Sequence, residues 1–279
     1  MRSDIVANRK MERQRCDAAA RRSVTPLRVG YSNAMRYWGA PVPRDCPLRD
    51  DTVHAGVPEA SLRRRVKGVT FHVFRGREDY RKESYELFWM ASPAMAWAQM
   101  ANHCGVEDLA MMGAALLSRD VKRKVASWEE LNRYVREGPR FAGRRKCMEA
   151  LPYITENTDS PPETTLFALL KDAGLGDPTP NHRVDLGASY ALLDMAYPDC
   201  RVAFEYQGAY HADTERMRLD AARLNALQVR GWVVMYVTAD DFRNDRAKGA
   251  LAGAAQKIVG RQRYLMAFCR SWLAANGSH

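Results

Sequence analysis

Residues 184–208 have the sequence VDLGASYALLDMAYPDCRVAFEYQG, and this stretch decides the fold of the second half of the chain. The segments on either side of the Tyr-Pro-Asp-Cys sequence at 197–200 are rich in apolar side chains, whereas that sequence is typical of a tight turn. The pattern therefore predicts strands, of which the last two form a hairpin.

Helices are predicted on both sides of these strands. The sequence SPPETTLFALLKDAGL at 160–175 has the spacing of an amphipathic helix, and a longer helix is predicted from about Thr214 to Arg230. The run WVVMYVT at 232–238 predicts a buried strand before a final helix, and Tyr236 and the tryptophans are assigned to the core. This order of elements predicts an α/β domain with a small sheet flanked by helices.

Two carboxylates in the hairpin occupy positions where an unpaired charge is costly. Asp194 ends one apolar run, and Glu205 follows the apolar residues of the next. Because a tight turn separates them, the hairpin brings both carboxylates to neighbouring positions at one end of the sheet. Carboxylate oxygens are ligands that a hard divalent cation such as Mg²⁺ prefers, and Mn²⁺ is the alternative.

Beyond the hairpin, His211 lies where the strand gives way to the long helix. A neutral imidazole there could take a proton from an attacking water or contact a phosphate. Glu163 lies in the preceding helix, where Ser160-x-x-Glu163 also matches a capping box.

The combined pattern D-x(10)-E-Y-Q-G-x-x-H at 194–211, R-x-D-x-x-R at 218–223 and G-W-x-V at 231–234 resembles the restriction-endonuclease-like, or PD-(D/E)xK, superfamily. With SPPET, AGLGDP and the YP turn, it is most similar to the branch of the very-short-patch repair endonuclease and its uncharacterised bacterial relatives. The resemblance covers residues 143 to 240. It implies a restriction-endonuclease-like sheet and a metal-dependent nuclease site.

On this resemblance, Asp194 and Glu205 are the metal ligands, with the Tyr206 carbonyl nearby. His211 is a base or phosphate contact, and Glu163 is an accessory carboxylate. Gln207 stands where the superfamily often has Lys and the uncharacterised relatives typically have Asp. It would orient water or phosphate by hydrogen bonding.

Each of these residues also has a purely structural interpretation. Glu163 could cap its helix, and Asp194 could stabilise a turn. Glu205 could be a salt-bridged residue at a strand end, and His211 could simply begin a helix. Arg216, Arg223 and Arg230 share one helical face, which could be either a phosphate-binding track or a solvated stripe.

Positive charge is concentrated in the first half of the chain. Residues 1–150 contain 29 Lys and Arg against 18 Asp and Glu, whereas residues 151–279 contain 14 against 15. Such basicity suits contact with nucleic-acid phosphates, although a solvated basic face has the same composition. The candidate contacts in this half are clustered between two predicted strands and comprise Arg63, Arg64, Arg65 and Lys67.

Three segments are predicted along the chain: a basic polar leader at 1–28, a basic α+β domain at 29–142 and the restriction-endonuclease-like domain at 143–279. The first half, from SNAMRYWGAPVP onward, resembles the region preceding the nuclease-like domain in AbiEi-type antitoxins. Those proteins usually begin with a winged helix, and the residues before Tyr31 are too few to form one.

Composition excludes several classes of protein. No apolar run is long enough for a membrane-spanning helix, and the charged N-terminal sequence lacks the apolar core of a secretory signal. Six scattered cysteines without a CxxC pair indicate reduced thiols and a cytoplasmic location. No Gly-rich phosphate loop points to a nucleotide cofactor.

The function predicted from these features is Mg²⁺-dependent hydrolysis of DNA phosphodiester bonds by an endonuclease. The alternative is a non-catalytic nucleic-acid-binding regulator, or an antitoxin-like protein, that keeps the nuclease fold. A nuclease acting on RNA or on structured junctions is a third interpretation. No membrane partner is expected.

Overall fold

The structure is a computed structural model that describes residues 2–158, 160–187, 189–208 and 214–276. The chain divides into two compact units, residues 1–161 and residues 162–279. Both units combine helices with a mixed sheet, so the predicted α/β class is confirmed. In the described residues, no helix is both long enough and apolar enough to cross a membrane.

The first unit contains a five-stranded sheet with strands at Leu27–Val29 (β1), Val53–Val57 (β2), Val69–Val73 (β3), Tyr80–Arg81 (β4) and Phe88–Ala91 (β5). The strands lie in the order β3-β2-β1-β5-β4, with β2 and β3 parallel. Its helices are Arg2–Ala20 (α1), Tyr31–Tyr37 (α2), Pro93–Met100 (α3), Val106–Leu116 (α4), Trp128–Glu137 (α5) and Arg144–Ala150 (α6). Short 3-10 turns follow at Ala60–Leu62 and Leu151–Tyr153.

The core of this unit is built around α3, all of whose residues are buried. Pro93 occupies the first turn of α3, and the Ser92 hydroxyl accepts a hydrogen bond from the Met95 N–H at 3.2 Å, so this helix start is confirmed. The Trp97 indole N–H donates to the Leu109 carbonyl at 2.8 Å and so ties α3 to α4. A fully buried helix of this kind explains the Met-rich and Ala-rich sequence of the segment.

The limits of the units differ from those expected. The segment 1–28 belongs to the first unit, because α1 buries Cys16 and Ala19 in its core and β1 lies within its sheet. Residues 143–161 also belong to it rather than to the second unit, since α6 buries Cys147 and Ala150 against the same core. The composition GPRFAGRRK resembles a linker, but Phe141 is buried, and Gly143 supplies the left-handed backbone, with φ +86°, that starts α6.

The second unit contains the predicted order of elements. Helix Pro161–Asp172 (α7) precedes the strands Thr179–Asp185 (β6), Tyr190–Tyr197 (β7) and Val202–Tyr206 (β8). Helix Thr214–Val229 (α8), strand Val233–Val237 (β9), a 3-10 turn at Ala239–Phe242 and helix Asp245–Asn276 (α9) follow. The sheet order is β6-β7-β8-β9, with β9 parallel to β8 and the other pairs antiparallel.

This sheet has apolar contacts on both faces. Met195, Val202 and Phe204 pack in one cluster with Leu166 of α7 and Leu251 of α9. Another cluster joins Ala196 and Ala203 to Leu227 of α8 and to Trp232, with Val234 packed against it. Burial on both faces explains why the strand sequences are nearly continuous in apolar residues.

Two core assignments from sequence are wrong. Tyr236 lies in β9, the strand at one edge of the sheet, and has 36% of its surface exposed. The assignment of the tryptophans to the core is confirmed for Trp97, which is fully buried, and is wrong for Trp272 of α9, which is 57% exposed.

Candidate active site

The β7–β8 hairpin sets the positions of the two predicted metal ligands. Its register pairs Tyr197 with Val202 and Met195 with Phe204, so that one step further along the strands Asp194 lies opposite Glu205. The Tyr206 backbone N–H donates a hydrogen bond to Asp194 Oδ2 at 2.8 Å. The two carboxylates are therefore neighbours, as the spacing predicts. Only Glu205 lies near the end of its strand, whereas Asp194 lies within β7, which continues to Tyr190.

Glu205 is engaged by an arginine of α8. Arg223 donates from Nη1 to Glu205 Oε2 at 2.8 Å and from Nη2 to Glu205 Oε1 at 2.6 Å. Nη2 also donates to the Leu192 carbonyl of β7 at 2.7 Å. Because Glu205 is buried, this bidentate pair supplies the counter-charge that its carboxylate requires. The structure thus shows the salt-bridged strand-end arrangement that was the alternative to a metal ligand.

Among the residues that the structure describes, no such cation is in direct contact with Asp194. Burial raises the pKa of Asp194 to about 7, and the negative charges of Glu163 and Glu205 act in the same direction. The hydrogen bond from Tyr206 and the positive charge of Arg223 oppose this rise without overcoming it. The Asp194 carboxyl therefore titrates near neutral pH.

Glu163 contributes a third carboxylate from the first turn of α7. It is buried, and its charge is the largest electrostatic influence of another side chain on Asp194. Among Glu163, Asp194, Glu205 and Arg223, three potential negative charges face one positive charge. The formal charge of these four side chains is therefore negative even while Asp194 is protonated, and it becomes more negative when Asp194 ionises.

Tyr236 is a further neighbour that sequence reasoning placed in the core. The parallel register of β8 and β9 sets Tyr236 beside Glu205. Burial raises the pKa of the Tyr236 hydroxyl, with Glu205 adding to the effect and Arg223 opposing it. A partly exposed phenol therefore lies close to the acidic cluster.

The donor set fits a hard divalent cation only in part. Within the described residues, no group of three or more His, Cys, Asp or Glu side chains is arranged to hold a metal ion. The oxygen donors and excess negative charge at Asp194 and Glu163 suit Mg²⁺ or Mn²⁺. Both oxygens of Glu205 are already bonded to Arg223, so a cation would compete with that guanidinium for Glu205.

The remaining predicted residues are more scattered. Gln207 is exposed just after β8, with its backbone N–H donating to the Val237 carbonyl at 2.7 Å. His211 lies outside the residues that the structure describes. Arg216 belongs to α8, but its side chain is also outside the described part of the chain.

The helical arginines do not form a uniform stripe. Arg223 turns to Glu205, and Arg230 donates to the Ala226 carbonyl of its own helix at 3.0 Å. The basic cluster of the first unit is different, because its members are exposed in the segment between the Ala60–Leu62 turn and β3. That cluster consists of Arg63, Arg64, Arg65 and Lys67.

Sequence reasoning identified Arg223 but assigned it to a phosphate rather than to Glu205. One signal was present: a buried strand-end glutamate requires a cation, and an arginine of the next helix can reach back over the sheet. The spacing of seven residues between Arg216, Arg223 and Arg230 instead predicted that the three arginines share one helical face.

The chain is similar to two uncharacterised proteins of Mycobacterium tuberculosis, one from strain CDC 1551 / Oshkosh and one from strain ATCC 25618 / H37Rv. Each is 30% identical over 159 residues, which is 56% of this chain and 55% of the relative. The chain thus spans about half the length of the curated relatives it matches. No family model and no solved structure matches the chain.

Proposed function

We propose that the second unit is a Mg²⁺-dependent endonuclease domain that hydrolyses DNA phosphodiester bonds. The observation that carries the proposal is the pairing of Asp194 with Glu205 across the β7–β8 hairpin, with Glu163 close enough to perturb Asp194. The resemblance of residues 143 to 240 to restriction-endonuclease-like proteins supports the same conclusion.

In this proposal, Asp194 and Glu163 would hold the cation, and Glu205 would be a further ligand only at the expense of a hydrogen bond to Arg223. A bound divalent cation lowers the pKa of water and stabilises charge on a phosphate. Arg223 supplies the counter-charge of the Glu205 carboxylate and fixes its orientation through two parallel hydrogen bonds. Gln207, exposed at the end of β8, orients water or phosphate, and His211 assists proton transfer.

Substrate affinity is assigned to the basic first unit. Arg63, Arg64, Arg65 and Lys67 are exposed, and contacts from such side chains to phosphates are independent of sequence and weaken with salt. A cytoplasmic location accompanies this proposal. The cysteines within the described residues are all free thiols, as a reducing compartment requires.

A second function is favoured by the Arg223–Glu205 ion pair. The Arg223 guanidinium supplies Glu205 with the positive charge that a metal ion would otherwise provide. Gln207 is neutral, so it cannot stabilise a transition state with a charge of its own. Both features favour a nucleic-acid-binding regulator, antitoxin-like in character, that keeps the fold without turnover.

Cleavage by the purified full chain distinguishes the two functions. The substrates are supercoiled plasmid, linear duplex, single strands, mismatched duplex and RNA, each with Mg²⁺, Mn²⁺ or EDTA. Asp194→Ala removes the central carboxylate, and Asp240→Ala, at an exposed position of the same unit, is the matched control. Metal-dependent cleavage that Asp194→Ala loses and Asp240→Ala keeps supports the nuclease and identifies its substrate. Salt-sensitive binding without cleavage supports the regulator.

A further inference from the structure

A cleft in the first unit combines basic, aromatic and imidazole side chains. Its volume is about 480 Å³, within the range of about 300–1,000 Å³ that is usual for small-molecule sites. The side chains come from α2, β3, the end of α3 and the segments around them. The lining residues are Tyr31, Arg63, His72, Val73, Phe74, Arg75, Gln99, Asn102, His103, Arg140, Phe141 and Ala142.

The charge of the cleft is entirely positive. Arg63, Arg75 and Arg140 contribute guanidinium groups, and no lining residue among those described is acidic. In the described part of the chain, none of these three side chains forms a hydrogen bond or an ion pair. Three guanidinium groups facing one concavity produce a local positive potential that attracts an anion, and their fork geometry suits phosphate.

The histidines beside these arginines are held in defined tautomers. His54 Nε2 lies 2.9 Å from the Arg49 carbonyl, which can only accept, so Nε2 carries the proton. His54 Nδ1 is then the acceptor for the Nε2–H of His72 at 2.8 Å. Consequently, the Nδ1 atom of His72 is an unprotonated acceptor. Burial lowers the pKa of His72 to about 4, with His54 and His103 acting in the same direction, so the imidazole is neutral at physiological pH.

The base of the cleft is rigid and strained. Tyr31 begins α2 with φ +58°, a left-handed conformation that is costly for a residue with a side chain. Its backbone N–H donates to Gln99 Oε1 at 3.0 Å, and a Cβ at the preceding Gly30 would lie 2.2 Å from the same oxygen. The Tyr31 ring packs 4.5 Å from His72 and 5.7 Å from His103, measured between ring centroids. Backbone strain maintained by such contacts is found preferentially at ligand sites.

We infer that this cleft is a nucleotide-binding site in which Arg63, Arg75 and Arg140 bind the phosphate. The cleft is larger than a phosphate ion requires, and its aromatic and amide side chains provide contacts for a base. The neutral His72 accepts a hydrogen bond from a sugar hydroxyl or a base amino group. The nucleotide is either free or part of a single strand. This inference shares Arg63 with the basic cluster of the proposed function, but it does not depend on the site at Asp194 and Glu205.

Calorimetric titration of the full chain tests the inference with four probes: inorganic phosphate, AMP and a short single-stranded oligonucleotide with or without a 5′-phosphate. We expect the nucleotide probes to bind more tightly than phosphate. Arg75→Ala combined with Arg140→Ala should weaken them about tenfold or more, the usual effect of losing charge-assisted hydrogen bonds. Arg44→Ala, another exposed arginine of the same unit, is the control and should leave affinity unchanged.

The NMR signals of the imidazole rings distinguish binding inside the cleft from general attraction of an anion to a basic surface. Binding of AMP in the cleft should shift the ring signals of His72 and His103 but not those of His182, which lies in the second unit. AMP binding as tight as that of the oligonucleotide identifies a free nucleotide, whereas tighter binding of the strand identifies a polynucleotide. Absence of binding by every probe, or equal affinity of the double variant and Arg44→Ala, would overturn the inference.

Discussion

Arg223 holds Glu205 through two parallel hydrogen bonds of 2.6 and 2.8 Å, and the same guanidinium bonds to the Leu192 carbonyl. One side chain of α8 therefore ties β7 to β8 close to Asp194. This arrangement makes Arg223 both a structural tie and a competitor for any cation that would bind Glu205.

Removing Arg223 should destabilise the protein. Arg223→Ala leaves a buried carboxylate without its partner, and we expect the free energy of unfolding to fall by about 2–3 kcal/mol, since Arg223 keeps some solvent contact. Urea denaturation measures this change. Arg218→Ala, an exposed arginine of the same helix, should change stability by about 0.5 kcal/mol or less.

A second substitution tests the cause of that loss. Glu205→Gln in the Arg223→Ala background removes the uncompensated charge, so the double variant should be more stable than Arg223→Ala alone. Equal stability of the two variants would show that Arg223 acts through its contact with Leu192 and not through Glu205.

The lowered pKa of His72 should make the stability of the protein depend on pH. Its pKa in the folded protein is about 4, below the ordinary value of 6.5, so between these values the unfolded chain binds the proton more readily than the folded protein does. The contribution of His72 to stability is therefore complete above about pH 6.5 and is lost as pH falls towards 4.

Denaturation of the wild type and of His72→Gln at pH 7.5 and pH 5 measures this contribution. The wild type should lose about 1–2 kcal/mol more than the variant on acidification, because glutamine does not titrate. Parallel losses in both proteins would contradict the assignment to His72.

Two glycines should respond to alanine with opposite signs. Gly143 has φ +86°, and a Cβ there would lie 2.7 Å from Ala101 Cβ and 2.8 Å from the Ala101 carbonyl carbon. Gly143→Ala should therefore lower the free energy of unfolding by more than about 1 kcal/mol. Gly249 lies inside α9 with no atom within 4 Å of such a Cβ, so Gly249→Ala should raise it by about 0.5–1 kcal/mol. Thermal denaturation of the two variants is the comparison, and destabilisation by both would contradict it.

The sheet of the second unit is predictable because its signals are local. The Tyr-Pro-Asp-Cys turn and the apolar runs around it specify the hairpin register. Gly231, with φ +78°, follows the end of α8, where a helix-terminating glycine is expected. The juxtaposition of Asp194 with Glu205 follows directly from that register.

Contacts between distant segments were not predictable in the same way. The pairing of Arg223 with Glu205 depends on how α8 crosses the sheet, which no short pattern encodes. Likewise, the cleft of the first unit collects Tyr31, His72, His103 and Arg140 from segments far apart in sequence. The assignment of residues 143–161 failed for a similar reason, because a polar linker-like composition conceals the buried side chains of α6.

Binding of Mn²⁺ measured by electron paramagnetic resonance tests the central claim most directly, since contaminating nucleases do not affect it. Wild type, Asp194→Ala and the exposed control Asp240→Ala are titrated as full chains. We expect one bound ion per chain for the wild type and the control, and loss of that ion in a folded Asp194→Ala protein. Binding that is absent from the wild type, or undiminished in Asp194→Ala, would contradict the assignment of Asp194 as a metal ligand.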